Sequence, residues 1–273
     1  MTNRNTLFHL DGKKALITDA SSNLGKHFAQ VLSQHGAEVV VAEPSANQLH
    51  QLVNKINSKG GKASAISLDV TNSSSVRDCF DQIDDLIGGV DILVNNASIS
   101  ASKPAVAQSH VDWNAMLKTH FMGNWLMATE AARRLIAANR AGSIIHIAPI
   151  QSEQLNDNPA SHSVYQAGLT QTTKTLALEL ARYAIRVNAL MPGYIVTHLN
   201  HDFLNSQMGE KLRARIPTRR FGLPSDLDGP LLLLASDAGR HMTGACLAVD
   251  GGHLVSTLTT TGIEPPKKAI ATK

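Results

Sequence analysis

Short runs of β-branched and other apolar residues alternate along the chain with longer segments in which apolar residues recur at helical spacing. The runs read KALIT, EVVVA, SAISLDV, VDILVNN, GSIIHIA and IRVNALMPG. Strands that alternate with helices in this way form right-handed βαβ units and a parallel sheet covered on both faces. The pattern therefore predicts an α/β domain with a doubly wound parallel sheet.

In such a sheet, ligands bind beyond the carboxyl ends of the strands. The residues that directly follow the predicted strands are therefore the first place to look for function. They are the turn 18–25, Glu43, Asp69, and the segments 95–98, 148–152 and 192–197.

Residues 7–256 read as one domain, since no internal repeat or linker interrupts the alternation. The remaining segment, TLTTTGIEPPKKAIATK at 257–273, is rich in Thr, Pro and Lys and has no apolar period. We expect it to be a mobile C-terminal tail. An arm that reaches a neighbouring subunit is the alternative.

Length and composition limit the classes of function. A chain of 273 residues with 43% apolar content can bury a sizeable core. The formal charge is +3 and no block of Lys and Arg is longer than three residues, so we expect no nucleic-acid partner. No apolar run approaches ~18 residues and the first residues lack an apolar signal region, which predicts a cytoplasmic protein with no membrane contact.

Cysteine and histidine spacing offers no metal site. Cys79 and Cys246 are far apart, which fits two buried thiols in a reducing compartment. His198, His201 and Asp202 have the spacing of a helix face, but no further ligand is identifiable. A solvated surface is the better interpretation of this group.

Several motifs at consistent spacing resemble the short-chain dehydrogenase/reductase family, in particular its gluconate 5-dehydrogenase-like and 3-oxoacyl-reductase-like members. The resemblance covers residues 7 to about 256. It implies a single-domain Rossmann fold with a parallel sheet of about seven strands, and descent from NAD(P)-dependent hydroxyl/carbonyl oxidoreductases. The motifs are the strand, turn and helix at 14–28, Asp69-Val70, DILVNNAS at 91–98, GSIIHIA at 142–148, Tyr165 in a helix, RVNALMPGYIVT at 186–197 and TGACLAVDGG at 243–252.

The first turn departs from the family, whose members carry Thr-Gly-x-x-x-Gly-x-Gly. Here the stretch LITDASSNLG has Asp19 and Asn23 at the first two glycine positions. Two like charges about 5 Å apart at an effective dielectric of about 20 repel by about 3 kcal/mol, so a carboxylate beside the phosphates of a cofactor weakens binding. Both residues are also favoured at helix N-termini once no phosphate needs the amides. The resemblance assigns the cofactor positions of this turn to Thr18, Asp19, Ser21, Asn23, Leu24 and Gly25.

Other cofactor positions of the family are retained. Glu43 follows Asp19 by 24 residues, close to the spacing at which an acid accepts from the adenosine ribose and disfavours a 2′-phosphate. We therefore expect NAD rather than NADP if a dinucleotide binds, with binding weak or lost. The remaining positions, which also have a structural interpretation as turn residues, are Asp69, Val70, Asn95 and Ala97 near the adenine, and Pro192, Gly193, Ile195 and Thr197 near the nicotinamide.

The catalytic group of the family is an Asn, a Ser, a Tyr and a Lys. The corresponding residues here are His120, Pro149, Tyr165 and Leu169, so only the tyrosine is retained. Counted back from the tyrosine, Ser152 takes the place of the serine instead. His120 is either an ordinary packed residue or an imidazole that relays protons.

The loss of the lysine has a calculable cost. A phenol titrates near 10, and a nearby ammonium that lowers this by ~3 units supplies about 4 kcal/mol toward the phenolate. Leu169 supplies none of it. Lys174 lies nine residues beyond Tyr165, on the opposite face of a helix, and is not a substitute.

Two functions remain open at this point. The first is a non-catalytic member, a pseudoenzyme that supports or regulates an intact paralogue. The family assembles through two long helices, here 109–138 and 159–183, which implies a homo- or hetero-oligomer. The alternative is an active NAD-dependent oxidoreductase on a small hydroxy or keto substrate that uses Tyr165 with His120 or Ser152.

Overall fold

The structure is a computed structural model that describes residues 7–96, 105–148, 150 and 160–256. Its seven parallel strands form one sheet in the order β3-β2-β1-β4-β5-β6-β7, which confirms the predicted α/β Rossmann architecture. The strand order reverses between β1 and β4, the place where such sheets bind ligands. The strands are β1 (Lys14–Thr18), β2 (Glu38–Glu43), β3 (Lys62–Ser67), β4 (Ile92–Asn95), β5 (Gly142–Ile147), β6 (Ile185–Pro192) and β7 (Cys246–Val249).

Helices cover both faces of the sheet, and polar residues fix their ends. Asn72 accepts from the amides of Ser74 and Ser75 at the start of α3, and Gly88 ends that helix with a φ of 73°. A seven-residue π-helix, Leu117–Gly123, joins α4 to α5. The α-helices are α1 (Asn23–Gln34), α2 (His50–Asn57), α3 (Ser73–Ile87), α4 (His110–Met116), α5 (Asn124–Ala137), α6 (Ala160–Leu180), α7 (His201–Leu204), α8 (Gln207–Arg213) and α9 (Asp228–Ala235).

The core consists of two apolar layers, one on each face of the sheet. Helices α1, α2 and α9 bury residues such as Phe28 on one face, and α3, α5 and α6 bury residues such as Phe80 on the other. Neighbouring residues of β1 alternate between the layers, with Leu16 in the second and Ile17 in the first. Because both faces are covered, the strands read as continuous apolar runs.

Some boundaries differ from the sequence expectation. β3 ends at Ser67, so Asp69 and Val70 lie in the turn before α3. Cys79 is buried as expected, and burial raises the pKa of its thiol to about 12. Cys246 is only half-buried, because β7 is an edge strand. The C-terminal segment 257–273 lies outside the described residues.

No helix within the described residues is long and apolar enough to span a membrane. In that same part of the chain, no three His, Cys, Asp or Glu side chains are placed to hold a metal ion together. His201 and Asp202 lie 3.4 Å apart on an exposed surface. The cytoplasmic location stays a prediction.

Candidate functional site

The site begins where β1 and β4 end side by side. Thr18, at the end of β1, is 1% exposed, and its Oγ1 donates to Val94 O at 3.5 Å. The amide of Asn96 donates to the same Oγ1 at 2.9 Å. Thr18 therefore links the ends of β1 and β4 through hydrogen bonds, at the point where the strand order reverses.

The turn after β1 keeps the backbone path that a glycine would take. Asp19 has a φ of 49°, in the left-handed region that favours glycine and that Asp tolerates better than most residues. Its carbonyl oxygen accepts from Ser22 Oγ at 2.8 Å and from Asn96 Nδ2 at 3.3 Å. Asp19 therefore adopts a backbone conformation that glycine adopts readily, and it adds a carboxylate at this position.

Ser22 caps the helix that follows this turn. Its Oγ accepts from the amide of Gly25 at 3.0 Å and from Asn96 Nδ2 at 3.0 Å. Helix α1 begins at Asn23, which is half-buried, and Leu24 packs partly against the core. A Cβ at Gly25 would lie 2.8 Å from the Cα of Ala20, so packing alone requires this glycine.

The acid at the end of β2 contacts the same turn. Glu43 is half-buried, and its Oε2 accepts from the amide of Ser21 at 3.3 Å. The structure thus places Glu43 beside the turn, and its role toward an adenosine ribose stays a prediction. The preference for NAD over NADP stays a prediction.

The residues predicted to lie near the adenine have structural contacts. The Asp69 carboxylate accepts from the amide of Thr71 at 2.9 Å and from its hydroxyl at 2.7 Å, which closes the turn before α3. Val70 is buried against Gly123, where a Cβ would lie 2.8 Å from a methyl of the valine. Asn95 is 1% exposed. Ala97 lies outside the described residues.

The loop after β6 is held by backbone contacts. Pro192 ends the strand, and the amide of Gly193 donates to Val249 O at 3.0 Å. A Cβ at Gly193 would lie 2.7 Å from the backbone of the segment after β7, so this close approach requires glycine. Ile195 is buried, and the amide of Thr197 donates to Asn200 Oδ1 at 2.7 Å.

Tyr165 and His120 meet at the centre of the candidate site. Tyr165 on α6 is 3% exposed, and the His120 ring stacks on it with centroids 4.0 Å apart and an interplanar angle of 13°. His120 lies within the π-helix and is buried. Burial raises the pKa of the tyrosine well above its usual value, and the hydrogen bond from Gln166 Nε2 at 3.3 Å lowers it by less.

Leu169 lies one turn along α6 from Tyr165 and is buried among apolar side chains. It is part of an apolar cluster with Ala148, Ile150 and Met191. Lys174, on the same helix, is exposed. The two candidates for the serine position, Pro149 and Ser152, lie outside the described residues, so the choice between them stays open.

Apart from Asn95, the buried polar residues beside this site were missed by sequence reasoning. Asn95 Nδ2 donates to Asn124 O at 3.2 Å and lies 3.4 Å from His146 Nδ1. Gln166 and Thr170 are buried one turn apart on α6. The available signal was the presence of polar residues at positions that the strand and helix patterns bury.

The reversal of strand order beside a strand, turn and helix defines the class as an α/β protein with a doubly wound Rossmann fold. Residues 20–253 match the family described as enoyl-(acyl carrier protein) reductase. The chain belongs to the short-chain dehydrogenase/reductase family, which confirms the resemblance seen in the sequence.

Named relatives match almost the whole domain. The chain is 32% identical to 3-oxoacyl-[acyl-carrier-protein] reductase of Aquifex aeolicus, over 89% of this chain and 98% of that protein. It is 32% identical to gluconate 5-dehydrogenase of Gluconobacter oxydans, over 92% of this chain and 98% of that protein. A crystal structure of a gluconate 5-dehydrogenase from Burkholderia cenocepacia, in complex with NADP and tartrate, is 32% identical, with a TM-score of 0.88 and coverage of 92% and 99%.

Proposed function

We propose that the chain is a non-catalytic member of the family, a subunit or regulator in an oligomer with an intact paralogue. The observation that carries this proposal is the burial of Leu169 in an apolar cluster one turn from Tyr165. In the family a lysine at this position assists the tyrosine. Leucine has no group that donates to a phenol or to a ribose hydroxyl.

The environment of the tyrosine supports the same proposal. At an ordinary pKa near 10, about one phenol in a thousand is ionised at pH 7. Burial raises the pKa of Tyr165 further, and the exposed Lys174 stands on the opposite face of the helix. The hydroxyl is therefore protonated at neutral pH and is a poor base for an alcohol substrate.

The turn after β1 supports weak or absent cofactor binding. Free amides at a helix N-terminus are the donors that bind phosphate. Here the amide of Gly25 donates to Ser22 Oγ, and the amide of Ser21 donates to Glu43. Asp19 adds a negative charge beside them. These residues fit a dinucleotide poorly, and if one binds we propose NAD, because Glu43 disfavours a 2′-phosphate.

Exposed apolar side chains support assembly through the two long helices. They lie on the π-helix and α5 (Met122, Trp125 and Ile136) and on α6 (Val164 and Leu178). Leu178 is 82% exposed. Pairing of these helices with a second family chain or with a copy of the same chain would remove these apolar side chains from water, and we propose such pairing.

Calorimetric titration with NAD and NADH tests the cofactor proposal. We expect no binding by the wild-type chain at millimolar cofactor, and measurable binding by Asp19→Gly/Asn23→Gly. Submicromolar to micromolar binding by the wild type, or turnover of an alcohol or ketone, would overturn the proposal.

Native mass spectrometry of protein isolated from its own cells tests the assembly proposal. We expect mixed oligomers with a second chain of the family. Trp125→Glu should weaken assembly, and Leu86→Glu, a matched change of an exposed apolar residue on α3, should leave it intact. Homo-oligomers alone, together with turnover, would contradict a regulatory role.

A second candidate function is an active NAD-dependent oxidoreductase on a small hydroxy or keto substrate. The stack of His120 on Tyr165 favours it, because an imidazole lies beside the hydroxyl-bearing ring. Under this alternative, Tyr165→Phe abolishes turnover with any substrate that the wild type converts. If neither the wild type nor Tyr165→Phe turns over any substrate, the non-catalytic proposal is supported.

A further inference from the structure

Five buried polar residues belong to β4, β5, α5 and α6, and we call them the buried polar network. They are Asn95, Asn124, His146, Gln166 and Thr170, each at least nine-tenths buried. Within the described residues, each has one buried atom without a hydrogen-bond partner: Asn95 Oδ1, Asn124 Oδ1, His146 Nε2, Gln166 Oε1 and Thr170 Oγ1. Such atoms destabilise a fold unless something satisfies them.

Amide reorientation does not satisfy the two asparagines. Asn95 Nδ2 donates to Asn124 O at 3.2 Å, and Asn124 Nδ2 donates to His120 O. Both partners are carbonyl oxygens, which only accept. Turning either amide would place oxygen against oxygen, so the two Oδ1 atoms remain buried acceptors.

The same contacts determine the tautomer of His146. Asn95 Nδ2 lies 3.4 Å from His146 Nδ1, and an amide nitrogen only donates, so His146 Nδ1 accepts. Burial lowers the pKa of His146 to about 4, so its ring is neutral at pH 7. The ring proton therefore lies on Nε2, which is a buried donor.

The remaining two members stand one turn apart on α6. Gln166 Nε2 contacts the hydroxyl of Tyr165 at 3.3 Å. The hydroxyl either accepts from Nε2 or donates to a reoriented Oε1, so one polar atom of the amide is left over in both cases. Thr170 Oγ1 is able to donate and to accept.

We propose that the buried polar network binds ordered water inside the protein, behind Tyr165. Water donates two hydrogen bonds and accepts two, which matches a set that contains both donors and acceptors. A cation would face the His146 N–H, and an anion would face the amide oxygens. At about three hydrogen bonds per buried water, five atoms correspond to about two molecules.

This water has a structural consequence. Asn95 and His146 belong to the sheet, Asn124 begins α5, and Gln166 and Thr170 belong to α6. Water that bridges these residues forms hydrogen bonds between both helices and the sheet and so stabilises their packing. The proposal does not depend on whether the protein is catalytic.

Two threonines on α6 provide a matched test. Thr170 and Thr173 are both buried, but Thr173 Oγ1 donates to Leu169 O at 2.9 Å whereas Thr170 Oγ1 has no partner in the described residues. If water bonds Thr170, both Thr170→Val and Thr173→Val remove one satisfied hydroxyl. We then expect both to lower the Tm, by about 2–4 °C. A rise in Tm for Thr170→Val would overturn the proposal. It would mean that valine removes a buried hydroxyl that has no hydrogen-bond partner, not even water.

A crystal structure of the full chain at atomic resolution gives the direct measurement. We expect water within hydrogen-bonding distance of Asn124 Oδ1 and His146 Nε2. Side chains that repack so that these atoms bond to protein instead, with no water between them, would overturn the proposal even if the chain is stable.

Discussion

Restoring the lysine at position 169 should destabilise the protein rather than reactivate it. Leu169 is 1% exposed in an apolar cluster. Loss of its burial costs about 2–3 kcal/mol. A buried lysine must also be neutral, and lowering its pKa from about 10.4 to below 7 costs about 4–5 kcal/mol at pH 7. The sum of about 6–8 kcal/mol is comparable with the whole stability of a typical domain.

The pH dependence distinguishes this cost from simple loss of packing. Because the pKa of the buried lysine is lowered in the folded state, folding requires the neutral amine. The loss of unfolding free energy is therefore largest at low pH. It becomes smaller as the pH rises toward the pKa of lysine in the unfolded chain. Each pH unit between the two pKa values changes the free energy of unfolding by about 1.4 kcal/mol. Between pH 7 and 9, the free energy of unfolding of Leu169→Lys should therefore rise by about 3 kcal/mol relative to that of the wild type.

Urea unfolding measured from pH 7 to pH 9 provides the assay. Leu169→Met keeps the volume and should cost less than about 1.5 kcal/mol. Leu86→Lys makes the same charge change at an exposed site on α3 and should stay within about 0.5 kcal/mol of the wild type. If Leu169→Lys proves as stable as Leu86→Lys, or its loss does not vary with pH, a polar partner for the ammonium exists and the reasoning fails.

Three further predictions concern the turn and the core. Ser22→Ala should lower the free energy of unfolding by about 1 kcal/mol in urea, because the cap of α1 is lost. An unchanged midpoint would show that the cap contributes nothing. Gly25→Ala should lower the Tm, since its Cβ would meet the backbone of the turn at 2.8 Å, whereas Gly229→Ala, with open space around it, should not. Equal changes of Tm in Gly25→Ala and Gly229→Ala would refute this prediction. The pKa of His146 is lowered to about 4, so stability should fall as pH drops from 6.5 toward 4, by up to about 3 kcal/mol. Relative to the wild type, His146→Asn should lose less stability over this range, as followed by thermal unfolding.

The strands could be predicted from the sequence because both faces of the sheet are covered. KALIT and EVVVA have no polar residue within the run, and as β1 and β2 both have a neighbouring strand on each side. The position of the first turn, between β1 and α1, also followed from the sequence pattern. These features are determined by residues that are adjacent in the sequence, so local sequence patterns predict them.

The π-helix and the buried polar network could not be predicted in this way. Leu117–Gly123 shifts the helical register by the equivalent of one residue, which a period of 3.6 does not distinguish from an α-helix over so short a length. The members of the network come from β4, β5, α5 and α6, and the surroundings of such buried polar residues are set by tertiary packing. His146 and Asn95, for example, are paired only by the register of β5 against β4.

The retained and the lost motif residues divide by physical role. Tyr165 is buried, stacked on His120 and contacted by Gln166, and Gly25 packs against the turn backbone. Both have a reason to persist in a protein that performs no chemistry. The residue that would act on a cofactor or substrate without supporting the fold is the lysine, and its position holds Leu169. Survival of the tyrosine is therefore weak evidence for catalysis, and the identity of residue 169 is the stronger evidence against it.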